Sequence, residues 1–156
     1  MEILRARRDD AEALSRVSFA AKRHWGYPES WIERWQVSLT ITPEFVDHNE
    51  VYAAVTDEGL IGFYALSGEG REMELEHLWV LPEFIGTGVG RALFDHAVSR
   101  AAASGAEVLG IESDPNAEGF YLRMGARRVG EVSYAMDGQR RALPLLAMDV
   151  RRHHTA

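Results

Sequence analysis

The middle of the chain joins a strand, a glycine cluster and a helix, and this unit limits the fold more than any other feature. Residues 72–81 predict an alternating strand, with one face that carries Glu74, Glu76, Leu78 and Val80 and another that carries Leu75, His77, Trp79 and Leu81. Pro82 ends the strand, glycines recur at every second position from 86 to 90, and an amphipathic helix then runs to about Ser104. Gly105 stands where a helix C-terminus favours glycine. A strand that leads through a short loop into such a helix is typical of domains that pack helices on a sheet.

Shorter patterned segments on both sides of this unit supply further strands and helices. Two apolar runs, 51–55 and 60–66, flank the turn Thr56–Gly59 and predict a hairpin, and Asp9-Asp10 stands where a helix N-cap belongs. The other predicted elements are strands at 2–6, 107–111, 127–134 and 143–150, helices at 11–21, 29–38 and 116–124, a turn or short helix from Pro43, and a turn at Asp137-Gly138. This order of strands and helices predicts an α/β (α+β) domain around one mixed sheet.

Composition and charge exclude several classes of protein. The 156 residues suit one domain, which we place at 1–150 with a C-terminal tail at 151–156. The sequence has no cysteine, which excludes a disulfide framework, a cysteine zinc site and a thiol nucleophile, and no metal site is predicted. A formal net charge of −7 without a basic stripe disfavours a nucleic-acid partner. No apolar stretch approaches the ~20 residues of a membrane span and no signal peptide is visible, so we expect a cytoplasmic protein without a membrane partner.

The glycine cluster has the character of an anion site. The backbone amides of residues 85–91 lie between a strand end and a helix start, where they add to the positive end of the helix. The run lacks the Lys-Ser/Thr ending of a Walker loop, and neither frame of the pattern Gly-x-Gly-x-x-Gly/Ala is complete. On these residues alone, a pyrophosphate site and a glycine-rich turn without a ligand are both open.

Two longer segments resemble sequence motifs of one family. Residues 78–93, Leu-Trp-Val-Leu-Pro-Glu-Phe-Ile-Gly-Thr-Gly-Val-Gly-Arg-Ala-Leu, resemble motif A of the GCN5-related N-acetyltransferases (GNAT). Residues 114–126, Asp-Pro-Asn-Ala-Glu-Gly-Phe-Tyr-Leu-Arg-Met-Gly-Ala, are similar to motif B of the same family. The resemblance covers nearly the whole chain. It implies a mixed central sheet of six to seven strands, splayed between strands 4 and 5 and flanked by about four helices, in a single N-acetyltransferase domain.

The resemblance implies acetyl-CoA, or another acyl-CoA, as co-substrate. Its pyrophosphate is expected on the amides of the glycine loop, and its pantetheine arm beside the backbone of Leu78 and Val80. The implied cofactor-binding residues are Leu78, Trp79, Val80, Ile85, Gly86, Thr87, Gly88, Val89, Gly90, Arg91, Asn116 and Phe120. Ile85 stands where the family has Arg or Gln, so we expect weaker phosphate contact. Asp114 stands at a common Asn position, and Asn116 either caps its helix and touches the cofactor or only caps the helix.

The same resemblance implies which groups move protons. Tyr121 is the predicted donor to the departing thiolate, and the alternative is a tyrosine packed in the core. Glu76 is the first choice as general base and Glu74 acts through water, unless either is a solvated strand charge. His77 points to the other face of the strand by alternation, where we expect it to be packed or solvated.

Acceptor specificity is expected from the first helices, which line the acceptor cleft in this family. The predicted acceptor-binding residues are Trp25, Tyr27 and Trp31, which form an aromatic wall for an apolar or cationic acceptor. The alternative is that these aromatics seal the helices onto the sheet. Arg140-Arg141 either reaches a carboxylate on the acceptor or lies solvated in a turn.

The predicted function is direct transfer of an acetyl group from acetyl-CoA to a primary amine of a small molecule or peptide. A non-catalytic acyl-CoA-binding sensor is the alternative, for which Ile85 is the hint. Acetylation of aminoacyl-tRNA, a role that the family contains, is disfavoured by the net charge of −7. Because dimers are frequent in the family, a homodimer is also expected.

Overall fold

A computed structural model describes residues 1–151, and in this range seven strands form one mixed sheet. The strands are β1 (Glu2–Arg5), β2 (Glu50–Thr56), β3 (Gly59–Ser67), β4 (Glu72–Val80), β5 (Val108–Glu112), β6 (Arg127–Met136) and β7 (Gln139–Asp149). Their order in the sheet is β1-β2-β3-β4-β5-β7-β6. β4 pairs with β5 in parallel, whereas β1–β2, β2–β3, β5–β7 and β6–β7 are antiparallel. The predicted fold class is confirmed.

Six α-helices lie in the same described range. They are α1 (Ala11–His24), α2 (Glu29–Arg34), α3 (Gln36–Leu39), α4 (Pro43–His48), α5 (Val89–Ala103) and α6 (Glu118–Arg123), and short 3-10 turns occupy Arg8–Asp10, Pro82–Phe84 and Pro115–Ala117. Gly105, which follows α5, has a φ of +96°, as its predicted place at a helix C-terminus requires. Within residues 1–151, no helix is long and apolar enough to cross a membrane.

Near the N-terminus, two local predictions differ from the structure. The single helix predicted at 29–38 is interrupted at Trp35, where the chain passes from α2 to α3 and the indole packs edge-on against Tyr27. Asp10 is the N-cap residue of α1, as predicted, but its side chain accepts a hydrogen bond from the Arg7 amide over 2.8 Å and makes no capping bond to α1. In both places a contact outside the local helical pattern determines the conformation.

The last strand also begins earlier than predicted. β7 starts at Gln139 rather than Leu143, because it pairs with β6 up to the Asp137-Gly138 turn. Asp137 and Gly138 have φ of +50° and +78°, so the predicted turn is confirmed. Arg140-Arg141 therefore lies in a strand and not in a turn.

The described chain forms two compact units, and the first holds the glycine loop. It consists of residues 1–66 and 77–96, and α1 and α4 contribute to its core together with β2 and β3. The buried members of this core are Ala6, Leu14, Val17, Ile41, Val46, Val51, Ala53, Phe63 and Ala65. Trp79 and Leu81 pack against this core, which fixes the segment that leads into the loop.

Within the described range, the second unit consists of residues 67–76 and 97–151. In it, β4 pairs with β5 over four residues, Glu72–Leu75 with Val108–Ile111. Its buried side chains include Met73, Leu75, Val98, Leu109, Ile111, Leu146 and Met148. The domain boundary placed at residue 150 stays a prediction, and residues 152–156 of the predicted tail lie outside the described residues.

Gly62 in β3 permits a close approach of three elements in the first unit. A methyl group at Gly62 would lie 2.9 Å from the Trp79 carbonyl oxygen and 3.1 Å from Leu93 Cδ1 of α5. The first of these atoms belongs to the backbone and does not move aside easily. A side chain at position 62 would therefore displace the end of β4, where the candidate site begins.

Candidate functional site

The glycine loop, residues 85–90, follows the 3-10 turn after β4 and enters helix α5. Gly86 and Gly88 have φ of +81° and +93°, and a Cβ on either would meet no atom within 4 Å. Glycine is therefore required at these two positions by the backbone conformation and not by a lack of space for a side chain. The amide and the hydroxyl of Thr87 both donate to the Phe84 carbonyl oxygen, which fixes the loop on the turn. The first amides of an α-helix lack carbonyl partners within the helix, and this is the geometry that an anion site needs.

The predicted cofactor-binding residues differ in how far their side chains are exposed to solvent. Val89 is buried, so only its backbone is available, whereas Ile85 is 47% exposed. Leu78, Trp79 and Val80 are half-buried in the last residues of β4. These residues all lie in the first unit with the loop, while Asn116 and Phe120 belong to the second.

His77 and Trp79 anchor the end of β4 in the first unit. Trp79 Nε1 donates to His77 Nδ1 over 2.9 Å, so the neutral imidazole carries its proton on Nε2. The His77 ring also lies edge-on to Phe45, with centroids 5.5 Å apart, and tilted against Phe63 at 5.9 Å. Of the two expected environments of His77, the structure shows the packed one.

An aromatic cluster surrounds the side chain of Lys22. The ring centroid of Tyr27 lies 5.8 Å from Trp31 and 5.1 Å from Trp35. The Lys22 ammonium lies 4.2 Å from the centroid of Trp35, 5.0 Å from Tyr27 and 5.9 Å from Trp79, and the lysine is only 8% exposed. We call Lys22 and these four aromatic residues the lysine cage.

Sequence reasoning found only part of the lysine cage. Tyr27 and Trp31 lie in it, but Trp25 is 39% exposed and contacts His24 at a centroid distance of 5.2 Å instead. An acceptor role for Trp25 stays a prediction without support from this cluster. Lys22 was missed, although one signal was present: it follows Ser18 by one helical turn on the buried stripe of α1, where lysine is rare.

Three glutamates alternate along the exposed side of β4 in the second unit. Glu72, Glu74 and Glu76 are exposed, and Met73 and Leu75 between them are buried. This alternation confirms the strand pattern predicted for residues 72–76. It places both candidate bases, Glu74 and Glu76, on one face of the strand.

The Glu74 carboxylate occupies space over β5 that a side chain at residue 110 would otherwise fill. The two residues are partners across the parallel pair, and a Cβ at Gly110 would lie 2.6 Å from Glu74 Oε1. Although the residue as a whole is exposed, partial burial of the Glu74 carboxyl raises its pKa above the ordinary value, and the charges of Glu76, Glu72 and Glu112 raise it further. A carboxylate in this setting is a stronger base than a fully solvated one.

Glu76 and Glu112 each accept one hydrogen bond from a hydroxyl group. The Ser67 hydroxyl donates to Glu76 Oε1 over 2.6 Å, and the Tyr134 hydroxyl donates to Glu112 Oε1 over 2.6 Å. Sequence reasoning missed Glu112 and Tyr134. They come from β5 and β6, which are separated in the sheet by β7, so no local pattern relates them.

Tyr121 in α6 is buried. Its residue is 6% exposed and its ring lies edge-on to Phe120 at 5.2 Å. Burial raises the pKa of Tyr121 well above its ordinary value, and the nearby charge of Asp114 adds to the effect. The phenol therefore keeps its proton at neutral pH.

Asp114 has the capping role that was predicted for Asn116. Asp114 Oδ1 accepts from the Asn116 backbone amide over 2.8 Å and from its side-chain Nδ2 over 3.0 Å, and α6 has no side-chain cap. The carboxylate caps the start of the 3-10 turn Pro115–Ala117, because it lies two residues before the amide whose hydrogen bond it accepts. The capping prediction for Asn116 is wrong, while its contact with the cofactor stays a prediction.

Arg141 forms an ion pair with Asp114 and is not a solvated turn residue. Its Nη2 lies 3.3 Å from Asp114 Oδ2, and the two side chains are only 14% and 9% exposed. Arg140, its neighbour, is exposed. Within residues 1–151, no group of three or more His, Asp or Glu side chains is arranged to hold a metal ion.

Comparison with known proteins relates this arrangement to one family. The chain matches the sequence model described as Acetyltransferase (GNAT) domain over residues 27–141. It is 31% identical over 91 residues to the peptidyl-lysine N-acetyltransferase YjaB of Salmonella typhimurium, across 58% of this chain and 59% of that protein. The chain thus matches less than two thirds of the length of this relative.

Two solved structures illustrate the similarity in fold. One is PaiA N-acetyltransferase from Thermoplasma acidophilum in complex with coenzyme A, with a TM-score of 0.76 and 20% identity over 95% of this chain and 98% of that one. The other is the ribosomal-protein-S18-alanine N-acetyltransferase from Escherichia coli, with a TM-score of 0.72 and 18% identity over 96% and 93%. At these identities, the likeness concerns the fold alone.

The family match includes the features from which the site is built. Residues 27–141 contain the end of β4, the glycine loop, both candidate bases and Tyr121. The seven-stranded mixed sheet is also the architecture that the family resemblance implies. The chain therefore belongs to the GNAT acetyltransferase family.

Proposed function

We propose that this protein transfers an acetyl group from acetyl-CoA to a primary amine of a small molecule or peptide by direct transfer. The observation that carries the proposal is the glycine loop, which enters α5 with two positive-φ glycines in a chain of the GNAT family. Such a loop offers amides and a helix N-terminus to a diphosphate. The coenzyme A complex of the Thermoplasma protein supports the same ligand class.

The chain binds the co-substrate mainly through its backbone. Charge-assisted hydrogen bonds are worth about 1.5–3 kcal/mol each, so a few loop amides hold a diphosphate despite a net charge of −7. Ile85 adds an amide and an apolar side chain but no charge. We propose that Leu78 and Val80 present backbone groups to the pantetheine arm, and that acetyl-CoA supplies an acetyl group activated as a thioester.

The amine must lose a proton before it attacks. At pH 7, about one in 2,500 lysine-like amines with a pKa of ~10.4 is unprotonated, which corresponds to ~4.6 kcal/mol. We propose Glu76 as the direct base and Glu74 as a base that acts through water. The raised pKa of Glu74 favours proton capture near neutral pH. In the transfer the N–C bond forms, the C–S bond breaks, and the sulfur leaves as a thiolate that takes up a proton.

Tyr121 is proposed to stabilise the leaving sulfur by a hydrogen bond. An ordinary phenol has a pKa of ~10, and the thiol formed from the leaving thiolate has a pKa of ~8.5. Proton transfer from the phenol to the thiolate therefore costs ~2 kcal/mol. Burial raises the pKa of Tyr121 further, so full proton transfer is less favourable still. Hydrogen-bond donation to a developing charge needs no such transfer.

The acceptor is proposed to be an amine of a peptide or a small molecule. The Salmonella relative is named for peptidyl lysine and the Escherichia coli structure for the alanine of ribosomal protein S18. A cytoplasmic location, a homodimer and the absence of nucleic-acid and membrane partners stay predictions.

Thiol release from acetyl-CoA tests the proposed function. The protein has no cysteine, so every thiol that a disulfide dye detects is product. We expect release that depends on an added amine from a panel of amino acids, polyamines, aminoglycosides and peptides. Calorimetry with acetyl-CoA is the companion measurement. Binding without release across the panel would favour the non-catalytic sensor, and absence of binding would contradict the proposal.

A further inference from the structure

The Tyr134 hydroxyl reaches from β6 over β7 to β5, where it donates a hydrogen bond to Glu112 Oε1 over 2.6 Å. Both residues are exposed, and the proposed function assigns a role to neither. The bond to the carboxylate raises the pKa of the Tyr134 phenol, so the hydroxyl keeps its proton and donates. Because a tyrosine side chain is rigid, this bond holds the Glu112 carboxylate in one place.

Glu112 lies near Glu74 on the same face of the paired strands β4 and β5. Glu74 is the partner of Gly110 across the parallel pair, and Glu112 follows Gly110 by two residues, so the Cα atoms of residues 110 and 112 are about 7 Å apart along β5. The Glu74 carboxylate lies over β5, since a Cβ at Gly110 would be 2.6 Å from Glu74 Oε1. The pairing of β4 with β5 ends one residue before Glu112.

Hydroxyl groups hold two of the carboxylates on this face, and the third has none. The Ser67 hydroxyl donates to Glu76 over 2.6 Å, in the same way as Tyr134 donates to its partner. Among residues 1–151, Glu74 has no hydrogen-bond donor and no cation as a partner. Charges that are fixed on β4 and on β5 thus act on one carboxylate that can take up a proton.

The titratable and charged groups on this face come from four strands of the second unit. They are Glu72 and Glu76 of β4, Glu112 of β5, Arg141 and Asp149 of β7, and Tyr134 of β6. Arg141 and Asp149 each form an ion pair. Partial burial raises the pKa of Glu74, and the carboxylates of β4 and β5 raise it further, because like charges disfavour ionisation. Glu112 is the one carboxylate of this set that the neighbouring strand supplies.

We propose that Tyr134 is a positioning residue that keeps the Glu112 carboxylate near Glu74 and so makes Glu74 more ready to accept a proton. This inference rests on the proposed acetyl transfer, in which the amine proton passes through water to Glu74. The fixed negative charge of Glu112 attracts that proton toward the pair. Both residues act through Glu74 and touch neither substrate nor cofactor.

Titration of Glu74 in the whole protein tests this role directly. Protein labelled with ¹³C-glutamate gives carboxyl signals in the NMR spectrum, and the signal of Glu74 is the one that Glu74→Gln removes. Glu112→Gln removes a charge at constant size, and Tyr134→Phe removes only the hydroxyl. Each variant should make Glu74 titrate at a lower pH than in the wild type, with the larger shift for Glu112→Gln because the charge itself is lost.

The double variant shows whether Tyr134 acts through Glu112. If it does, Tyr134→Phe has no further effect on the Glu74 titration once Glu112→Gln is present. An equal shift in both backgrounds would mean that the hydroxyl acts by another route, and it would overturn the positioning role.

Glu131→Gln is the matched control, because it removes one carboxylate from the same strand as Tyr134. Glu131 is exposed and its Oε2 lies 2.9 Å from Arg128 Nη2, and it is not among the carboxylates that raise the pKa of Glu74. The control should leave the titration of Glu74 unchanged. A shift as large as that of Glu112→Gln would contradict the specific role of Glu112.

The acidic limb of kcat/KM should follow the titration. Glu112→Gln and Tyr134→Phe should move the limb to lower pH together with the Glu74 signal, and they should lower the plateau about two- to tenfold, because a weaker base captures a proton less readily. A limb that stays in place while the Glu74 signal moves would overturn the role in catalysis.

The NMR titration also separates this proposal from the proposed function. A Glu74 signal that neither variant moves, in a protein that releases thiol, contradicts the role of Tyr134 and Glu112 alone. Absence of acetyl-CoA binding and of thiol release in the wild type contradicts the proposed function instead, and the titration then still decides whether Glu112 acts on Glu74.

Discussion

At the residue scale, the carboxyl group of Glu74 is placed where its charge is unfavourable. Burial and the neighbouring carboxylates raise its pKa in the folded protein above the value in the unfolded chain. The folded state therefore binds this proton more tightly, and ionisation costs stability. This loss begins as the pH rises past the ordinary value of ~4.3 and is complete above the raised pKa.

Glu74→Gln should consequently stabilise the protein at neutral pH. The amide removes the repulsion with Glu72, Glu76 and Glu112 and keeps the size of the side chain. We expect a higher melting temperature than wild type at pH 7 and no difference below about pH 4, where the wild-type carboxyl is protonated. Thermal unfolding measured by circular dichroism across this range is the test. A lower melting temperature of the variant at pH 7 would contradict the conclusion that the charge of Glu74 destabilises the fold.

The same carboxylates should shape the pH dependence of catalysis. If Glu74 and Glu76 capture the amine proton, kcat/KM falls in acid as they become protonated. Replacement of both by Gln should flatten this acidic limb and reduce the rate by about 10²–10⁴-fold. The single variants show which carboxylate dominates, and an unchanged limb in the double variant excludes both as bases.

Tyr121→Phe isolates the hydrogen bond to the leaving sulfur. The substitution keeps the buried ring and removes the hydroxyl, so kcat should fall at least tenfold while KM for acetyl-CoA changes little. Steady-state kinetics with saturating amine measures both values. A circular dichroism spectrum and a melting curve control for folding. A loss of turnover below about threefold would end the donor assignment.

At the element scale, the close packing of β3, β4 and α5 makes Gly62 a sensitive position. Gly62→Ala places a methyl group 2.9 Å from the Trp79 carbonyl oxygen, and overpacking of this kind costs about 1–3 kcal/mol. Because a loss of 1 kcal/mol lowers the melting temperature of a chain of this size by about 2–4 °C, calorimetry resolves the effect.

Gly130→Ala is the matched control for Gly62→Ala. Gly130 also lies in a strand, and the nearest atom to an added Cβ is Leu145 Cδ1 at 3.9 Å, an ordinary contact. This variant should melt within about 2 °C of wild type, since small surface changes rarely exceed 0.5 kcal/mol. Equal losses in both variants would refute the packing argument for Gly62.

The sequence predicts those elements whose determinants are local. Alternation in β4, the hairpin turn at 56–59 and the glycine after α5 are all patterns within a few residues, and the structure confirms them. The break at Trp35 depends on ring contacts with Tyr27, and the early start of β7 depends on its pairing with β6. Such tertiary effects override local propensity.

The residues of the candidate site also divide into those that local sequence patterns predict and those that depend on the fold. Motif resemblance and strand alternation identify the glycine loop, Tyr121 and the β4 glutamates. The groups that tune Glu74 do not follow from local patterns, because Gly110 and Glu112 reach it only through the fold.

At the scale of the whole molecule, one nearly buried ion pair joins two segments of the second unit. Asp114 and Arg141 join the turn before α6 to β7 with little exposure to water. Asp114→Asn keeps the shape and removes the carboxylate charge that faces Arg141, which should cost about 3 kcal/mol of unfolding free energy. Urea denaturation measures this loss.

The double variant Asp114→Asn/Arg141→Met removes both charges and should recover part of the loss. Arg23→Met, which breaks an exposed pair, should cost less than about 1 kcal/mol. A cost for Asp114→Asn no larger than that of Arg23→Met would show that the pair is as weak as a surface one.

Gly110 influences the acidity of the Glu74 carboxyl, although it carries no ionisable group itself. A methyl group at this position would push the flexible tip of Glu74 away from β5 and toward water. Better hydration would lower the pKa of the carboxyl, and because Glu74 is a proposed base, the pH range of activity should move with it. The absence of a side chain at residue 110 therefore helps to set the pKa of Glu74. Gly110→Ala, which adds a single carbon atom, should shift the proposed acetyltransferase activity toward lower pH.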